Sequence, residues 1–97
     1  MRQAIAADGK DEEAKVSDRA GRAPYYQIYE DGKLVETWKN PFSVGGGGAG
    51  WSVAYKLAEK DVQKVVAGRM GGNFTAALDG KSVAHEERPG ERVKDVL

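Results

Sequence analysis

Cysteine is absent from this chain, and histidine occurs once, at His85. No disulfide, thiolate nucleophile or cysteine-ligated cluster can form. A lone imidazole needs carboxylate neighbours to hold zinc. Glu86 and Glu87 follow it directly, but neighbours on a strand point to opposite faces. His85 therefore reads as a plain strand-end residue. A charge surplus is missing too: 15 Lys and Arg face 15 Asp and Glu. A general nucleic-acid binder would carry a basic excess. No apolar run reaches the length of a membrane span, and Met1-Arg2-Gln3 does not open a secretory signal, so the expected compartment is the cytoplasm. The strands carry no carboxylate pairs. Asp8, Asp11, Glu12 and Glu13 fall mostly in a loop and read as a solvated acidic stretch rather than a two-metal centre. The expectation is a protein that is not an enzyme.

What the chain has in excess is glycine, 13 of 97 residues. Gly45-Gly46-Gly47-Gly48-Ala49-Gly50 stands directly before a helical pattern that begins at Trp51. Such a run costs conformational entropy on folding. One return on that cost is close approach of backbone to a ligand. A helix start preceded by bare backbone presents free N–H groups and the positive end of a dipole, a combination that binds anions. The competing reading is a flexible connector. The run contains G-x-G-x-x-G (Gly45, Gly47, Gly50), but the preceding strand belongs to a hairpin and not to a dinucleotide-binding βαβ unit. Trp51 stands where a phosphate-loop ATPase needs lysine.

The pattern predicts one domain over residues 1–97, of order β-β-β-α-β-α-β-α. Gln3–Ala7 reads as a buried strand. Pro24–Glu30 and Lys33–Lys39 read as a hairpin closed at Asp31-Gly32. Tyr25, Tyr26, Tyr29 and Trp38 supply its core and cross-strand pairs. Trp51–Lys60 reads as a helix with Trp51, Ala54, Leu57 and Ala58 on its inner face. Val62–Ala67 reads as a buried parallel strand. Gly68–Gly72 is a second glycine-rich turn. Asn73 is expected to cap a helix carrying Phe74, Ala77 and Leu78, with Gly80 just past its end. Ser82–His85 reads as a last strand. A terminal helical turn follows, with Val93, Val96 and Leu97 inward and Glu91 in its first turn. The fold class is α/β with a mixed five-stranded sheet.

If Val62–Ala67 runs parallel to Gln3–Ala7, the special residues converge. Asp8, Arg22-Ala23-Pro24, the glycine-rich helix start, Gly68–Asn73 and His85 all reach the carboxyl edge of the parallel strands. Open α/β sheets bind ligands there. Arg19, Arg22 and Arg69 are the cations nearest that edge, and guanidinium suits large diffuse anions. Taken alone, each reads first as a solvated surface residue; it is three beside one glycine cradle that bring the anion-binding reading level with it.

These residues also carry a resemblance. Ala4–Gly9 (AIAADG), Val16–Pro24 (VSDRAGRAP), Asn40-Pro41, Gly45–Gly50 (GGGGAG) and Val66–Phe74 (VAGRMGGNF) resemble the dinitrogenase iron-molybdenum cofactor biosynthesis family. That family includes NifX-like carriers, the NifB-type tail domain and small stand-alone proteins. The resemblance implies a ribonuclease-H-like three-layer α/β/α fold. It also implies reversible carriage or storage of an anionic metal–sulfur cluster, of iron-molybdenum or molybdenum-copper type, received from donor and passed to acceptor proteins. Members commonly read S-x-H-F-G-R-A-P; here Arg19 replaces the histidine and Ala20 the aromatic. Charge and backbone N–H groups are left to hold the cluster. The expected cluster-binding residues are Arg19, Arg22, Gly45, Gly46, Gly47, Gly48, Gly50, Trp51, Arg69, Gly71 and Asn73, with no protein ligand to the metal. A phosphate- or nucleotide-binding regulatory domain using the same glycine-rich loop is the alternative.

Overall fold

In the computed structural model, which describes residues 1–44 and 49–97, the chain alternates strands and helices in the expected order. Strand β1 is Arg2–Ala7, β2 is Tyr25–Glu30 and β3 is Lys33–Lys39. Helix α1 spans Ala49–Glu59, β4 Lys64–Ala67, α2 Gly72–Gly80, β5 Ala84–Glu87 and α3 Val93–Val96. The sheet runs β3-β2-β1-β4-β5. β1 pairs antiparallel with β2 and parallel with β4, and β4 pairs parallel with β5. The hairpin turn has positive φ at both Asp31 and Gly32, the geometry that matches strand twist in a two-residue connection.

Alternation along the strands divides the core in two. Ala4, Ala6, Tyr26, Ile28 and Val65 pack against Val53, Ala54 and Leu57 of α1 and Phe74, Ala77 and Leu78 of α2. Ile5, Ala7, Tyr29 and Val66 face the other way, onto Ala14, Val16, Val93 and Val96. Two full helices thus cover one face. The other is covered by the loop after β1 and the single-turn α3, so the second helical layer is thin. Gln27 is fully buried on that face, and its polar atoms are all partnered. Its Nε2 donates to the carbonyls of Gly9 (3.0 Å) and Asp11 (2.7 Å), and Tyr29 Oη donates to its Oε1 (2.6 Å).

Several local expectations shift. Trp51 is not on the inner face of α1; it is 37% exposed and stacks on Tyr55, its i+4 neighbour, with centroids 5.8 Å apart. Val53 takes the buried position instead. Asn73 is not the cap of α2: the N-cap is Gly71, with no side-chain bond. Gly80 is the last residue of α2, and the left-handed conformation falls on Ser82. β4 begins at Lys64, because Asp61 takes positive φ and Val62 is buried in the turn. β5 is Ala84–Glu87 rather than Ser82–His85. His85 therefore lies opposite Val65, short of the carboxyl edge, with Nε2 2.9 Å from Asp79 Oδ1. Leu97 is 43% exposed rather than inward. Glu91 precedes the Arg92 N-cap of α3 and spends its carboxylate on Arg88.

Surface ion pairs tie the thin face together. Lys94 Nζ meets Glu13 (3.0 Å), Lys64 Nζ meets Glu86 (2.8 Å), and Arg88 bridges Glu86 and Glu91. Hydrogen bonds from Lys94, Lys64 and Arg88 hold Glu13, Glu86 and Glu91 respectively below the ordinary glutamate value of 4.5. Depressed carboxylates stabilise the fold above their unfolded pKa and lose that contribution as pH falls through the lower folded value. Thermal stability is expected to hold on acidification to 4.5 and to fall below it, most at low salt; a melting series across that window checks this.

Candidate functional site: an arginine-lined cleft at the sheet edge

The carboxyl ends of β1 and β4, the start of β2 and the first turns of α1 and α2 meet at one edge of the sheet. The chain leaving β1 turns back through Val16, which bridges Ala7, and then runs beside the chain leaving β4. Gly68 N donates to Ser17 O (2.8 Å), Arg69 N to Asp18 O (2.6 Å) and Ala20 N to Arg69 O (2.9 Å). This short ladder sets Arg19 and Arg69 side by side. It requires glycine at 68: a Cβ there would lie 2.7 Å from Ser17 O and 2.8 Å from both Asp18 Cα and Asp18 O.

Below the ladder, buried polar groups hold Ala20–Ala23 in place. Tyr26 Oη donates to Ala20 O, and complete burial raises that phenol's pKa, keeping it a donor. Asn40, 1% exposed, donates through Nδ2 to Gly21 O (3.2 Å) and Ala23 O (2.9 Å) and accepts from Phe42 N through Oδ1 (2.9 Å). The last contact is an Asx turn. Arg22 Nη1 donates to Phe42 O (3.0 Å), which fixes its stem against the loop after β3. Asn40→Ala would orphan two carbonyls and one amide. Unsatisfied buried groups cost about 1–3 kcal/mol each, so with partial rescue by water we expect a loss of about 2 kcal/mol, read by denaturant unfolding.

The result is a cleft of about 380 Å³. Arg19, Arg22, Gly50, Arg69, Gly71 and Asn73 line it, so six of the expected residues share one wall system. Gly45, Gly46, Gly47 and Gly48 lie outside the described residues. Trp51 does not line the cleft; its ring stacks on Tyr55. His85, placed at this edge by the sequence pattern, is paired with Asp79 and lines none of the cleft. Among the described residues no acid lines it either. The guanidinium groups of Arg19 and Arg69, both on exposed residues, have no hydrogen-bond or ion-pair partner among the described residues.

Two helix starts close the cleft. A Cβ on Gly50, in the first turn of α1, would lie 3.4 Å from Phe74 N in the first turn of α2. The two positive dipole ends therefore abut, and neither first turn carries an acidic residue to offset them. The arrangement attracts diffuse negative charge and presents amide donors to it. Among the described residues no group of three or more His, Cys, Asp or Glu could hold a metal ion. Ala20, Gly21, Gly72 and Phe74 also line the cleft. Sequence reasoning missed the supporting roles of Tyr26 and Asn40. The Asn40-Pro41 step was the available signal, since Asn before a loop commonly bonds backbone two residues on.

Among the curated proteins none matches this chain. Solved structures do. A NifB candidate of the DUF35 family from Thermotoga, determined by NMR, is 32% identical over 97% of this chain and 81% of its own, with TM-score 0.81. The apo form of the orange protein from Desulfovibrio gigas has TM-score 0.91 at 23% identity, covering 98% of this chain and 82% of that one. A dinitrogenase candidate from Methanocaldococcus jannaschii has TM-score 0.64 at 17% identity, covering 99% and 83%. The last two share the fold. The family model described as dinitrogenase iron-molybdenum cofactor matches residues 1–97. The chain thus belongs to the dinitrogenase iron-molybdenum cofactor family, with its arginine-lined cleft at the carboxyl edge of the sheet.

Proposed function

We propose that this protein is a carrier or store for an anionic metal–sulfur cluster, of iron-molybdenum or molybdenum-copper type, taken up from one protein and passed to another. The cluster is cargo, and the protein performs no catalysis on it. One observation carries the reading: three arginines and two abutting helix starts line a cleft that no described carboxylate enters. Family membership supports this class of cargo. Guanidinium groups and backbone amides bind the sulfide surface of a polyanion from outside its metal coordination shell. Such binding needs no ligand exchange at the metal, which suits a protein that must release what it holds.

Metal analysis and a visible spectrum of protein purified from its native host test this. Molybdenum with acid-labile sulfide, and charge-transfer bands lost on denaturation, are expected. Metal-free protein that is stabilised by nucleotides and not by tetrathiomolybdate would contradict the reading and favour a nucleotide-binding regulatory role.

A further inference from the structure

We propose that Arg88, outside the cleft, is a positioning residue for it: Arg88 staples the C-terminal segment, and that segment holds the arginine-bearing loop in its binding geometry. The inference rests on the cluster-carrier reading above for its ligand, but its structural content stands apart from it.

Arg88 follows β5, and its N donates to Ala67 O (2.8 Å), extending the sheet by one residue at the cleft edge. Its guanidinium grips Glu91 with two bonds, Nε to Oε2 and Nη2 to Oε1 (3.0 Å), while Nη1 reaches Glu86 Oε2 (3.3 Å). The fork closes a turn in which Gly90 has φ +81°. That turn presents Glu91 O to Val16 N at 2.8 Å. Beyond it, Val93 N bonds Ala14 O (2.9 Å) and Lys94 N bonds Glu12 O (3.0 Å), and the Val93 side chain is fully buried. The segment therefore lies as a strap across residues 12–16.

Position 16 is where the strap meets the site. Ser17 N bonds Ala6 O (2.8 Å), and Ser17 and Asp18 then form the ladder with Gly68 and Arg69 that sets Arg19 beside Arg69. The chain from Arg88 to the cleft is continuous: guanidinium to Glu91, Glu91 carbonyl to Val16, and Val16 through Ser17 to the ladder. A planar fork suits this staple better than an ammonium, because it grips both carboxylate oxygens at once.

The test compares wild type, Arg88→Ala, Arg88→Lys and Glu91→Gln. Amide exchange is read in the ligand-free protein at Val16, Gly68, Arg69 and, as a reference, Val65 and Val66 in β4. Tetrathiomolybdate is the titrant. For Arg88→Ala and Glu91→Gln we expect exchange about tenfold faster at Val16, Gly68 and Arg69, with the β4 reference unchanged. Tetrathiomolybdate affinity should fall severalfold, with Arg88→Lys between wild type and Arg88→Ala. Unchanged exchange at Gly68 and Arg69, or acceleration equal to that of the β4 amides, overturns the proposal, because the effect is then absent or global. Faster local exchange with unchanged affinity overturns it too. If wild type itself binds no tetrathiomolybdate, the carrier reading fails, and the exchange data alone decide whether the strap positions the loop.

Discussion

Tetrathiomolybdate binding is expected to weaken about a hundredfold in the double variant Arg19→Ala/Arg69→Ala, and about tenfold in each single variant. Both residues line the cleft and their guanidinium groups have no partner among the described residues, so their removal takes away attraction and orphans nothing in the fold. A charge-assisted hydrogen bond contributes about 1.5–3 kcal/mol when desolvated. Both residues are exposed, and solvent screening brings each contribution towards 1.4 kcal/mol, about tenfold in affinity. The stability of the double variant should match that of wild type within about 0.5 kcal/mol, since surface substitutions free of structural contacts rarely do more. Affinity within about threefold of wild type would remove the arginine pair from the site.

The second large effect falls on folding. Gly68→Val is expected to destabilise the protein by about 3 kcal/mol or more. The obstruction is backbone on all sides, Ser17 O, Asp18 Cα and Asp18 O, so no side chain can swing aside to relieve it. Relief requires opening the ladder that pairs residues 17–20 with residues 68 and 69. For a domain of this size, that loss lowers the melting temperature by roughly 12–24 °C. Gly71→Ala is the control, because a Cβ there meets nothing within 4 Å. Equal melting temperatures for Gly68→Val and Gly71→Ala would contradict the close approach.

The fold was legible where one residue type dictates one geometry. Asp31-Gly32 specified the hairpin, and Val65, Val66 and Ala67 specified a strand buried on both faces. Segment ends were less legible, because contacts distant in sequence set them. Gln63 lies just before β4, and its bonds are long-range: its amide donates to Arg2 O (2.8 Å), its carbonyl accepts from Ala84 N (2.9 Å) and its side-chain Oε1 accepts from Arg2 N (2.9 Å). β5 starts late because Val83 N still bonds Leu78 O (2.9 Å) at the end of α2. Helical spacing alone admitted Trp51 to the core, but Val53 lies nearer the centre of the buried face. The cleft was legible as a convergence of arginines and glycines at one edge, since strand order fixes which loops meet there. Its supports were not. Tyr26 and Gln27 read as hairpin residues, and nothing local reveals that Tyr26 reaches Ala20 or that Gln27 reaches Gly9.

The central claim is that charge and backbone amides, not metal–ligand bonds, hold the cargo. Titration of tetrathiomolybdate at low and at high salt, on wild type, Arg22→Ala and His85→Ala, tests it most directly. The account predicts an affinity that falls as salt rises, a loss of about tenfold or more in Arg22→Ala, and wild-type binding in His85→Ala. Binding that is abolished in His85→Ala, while salt and Arg22→Ala leave it unchanged, would show a ligated metal centre and contradict the account.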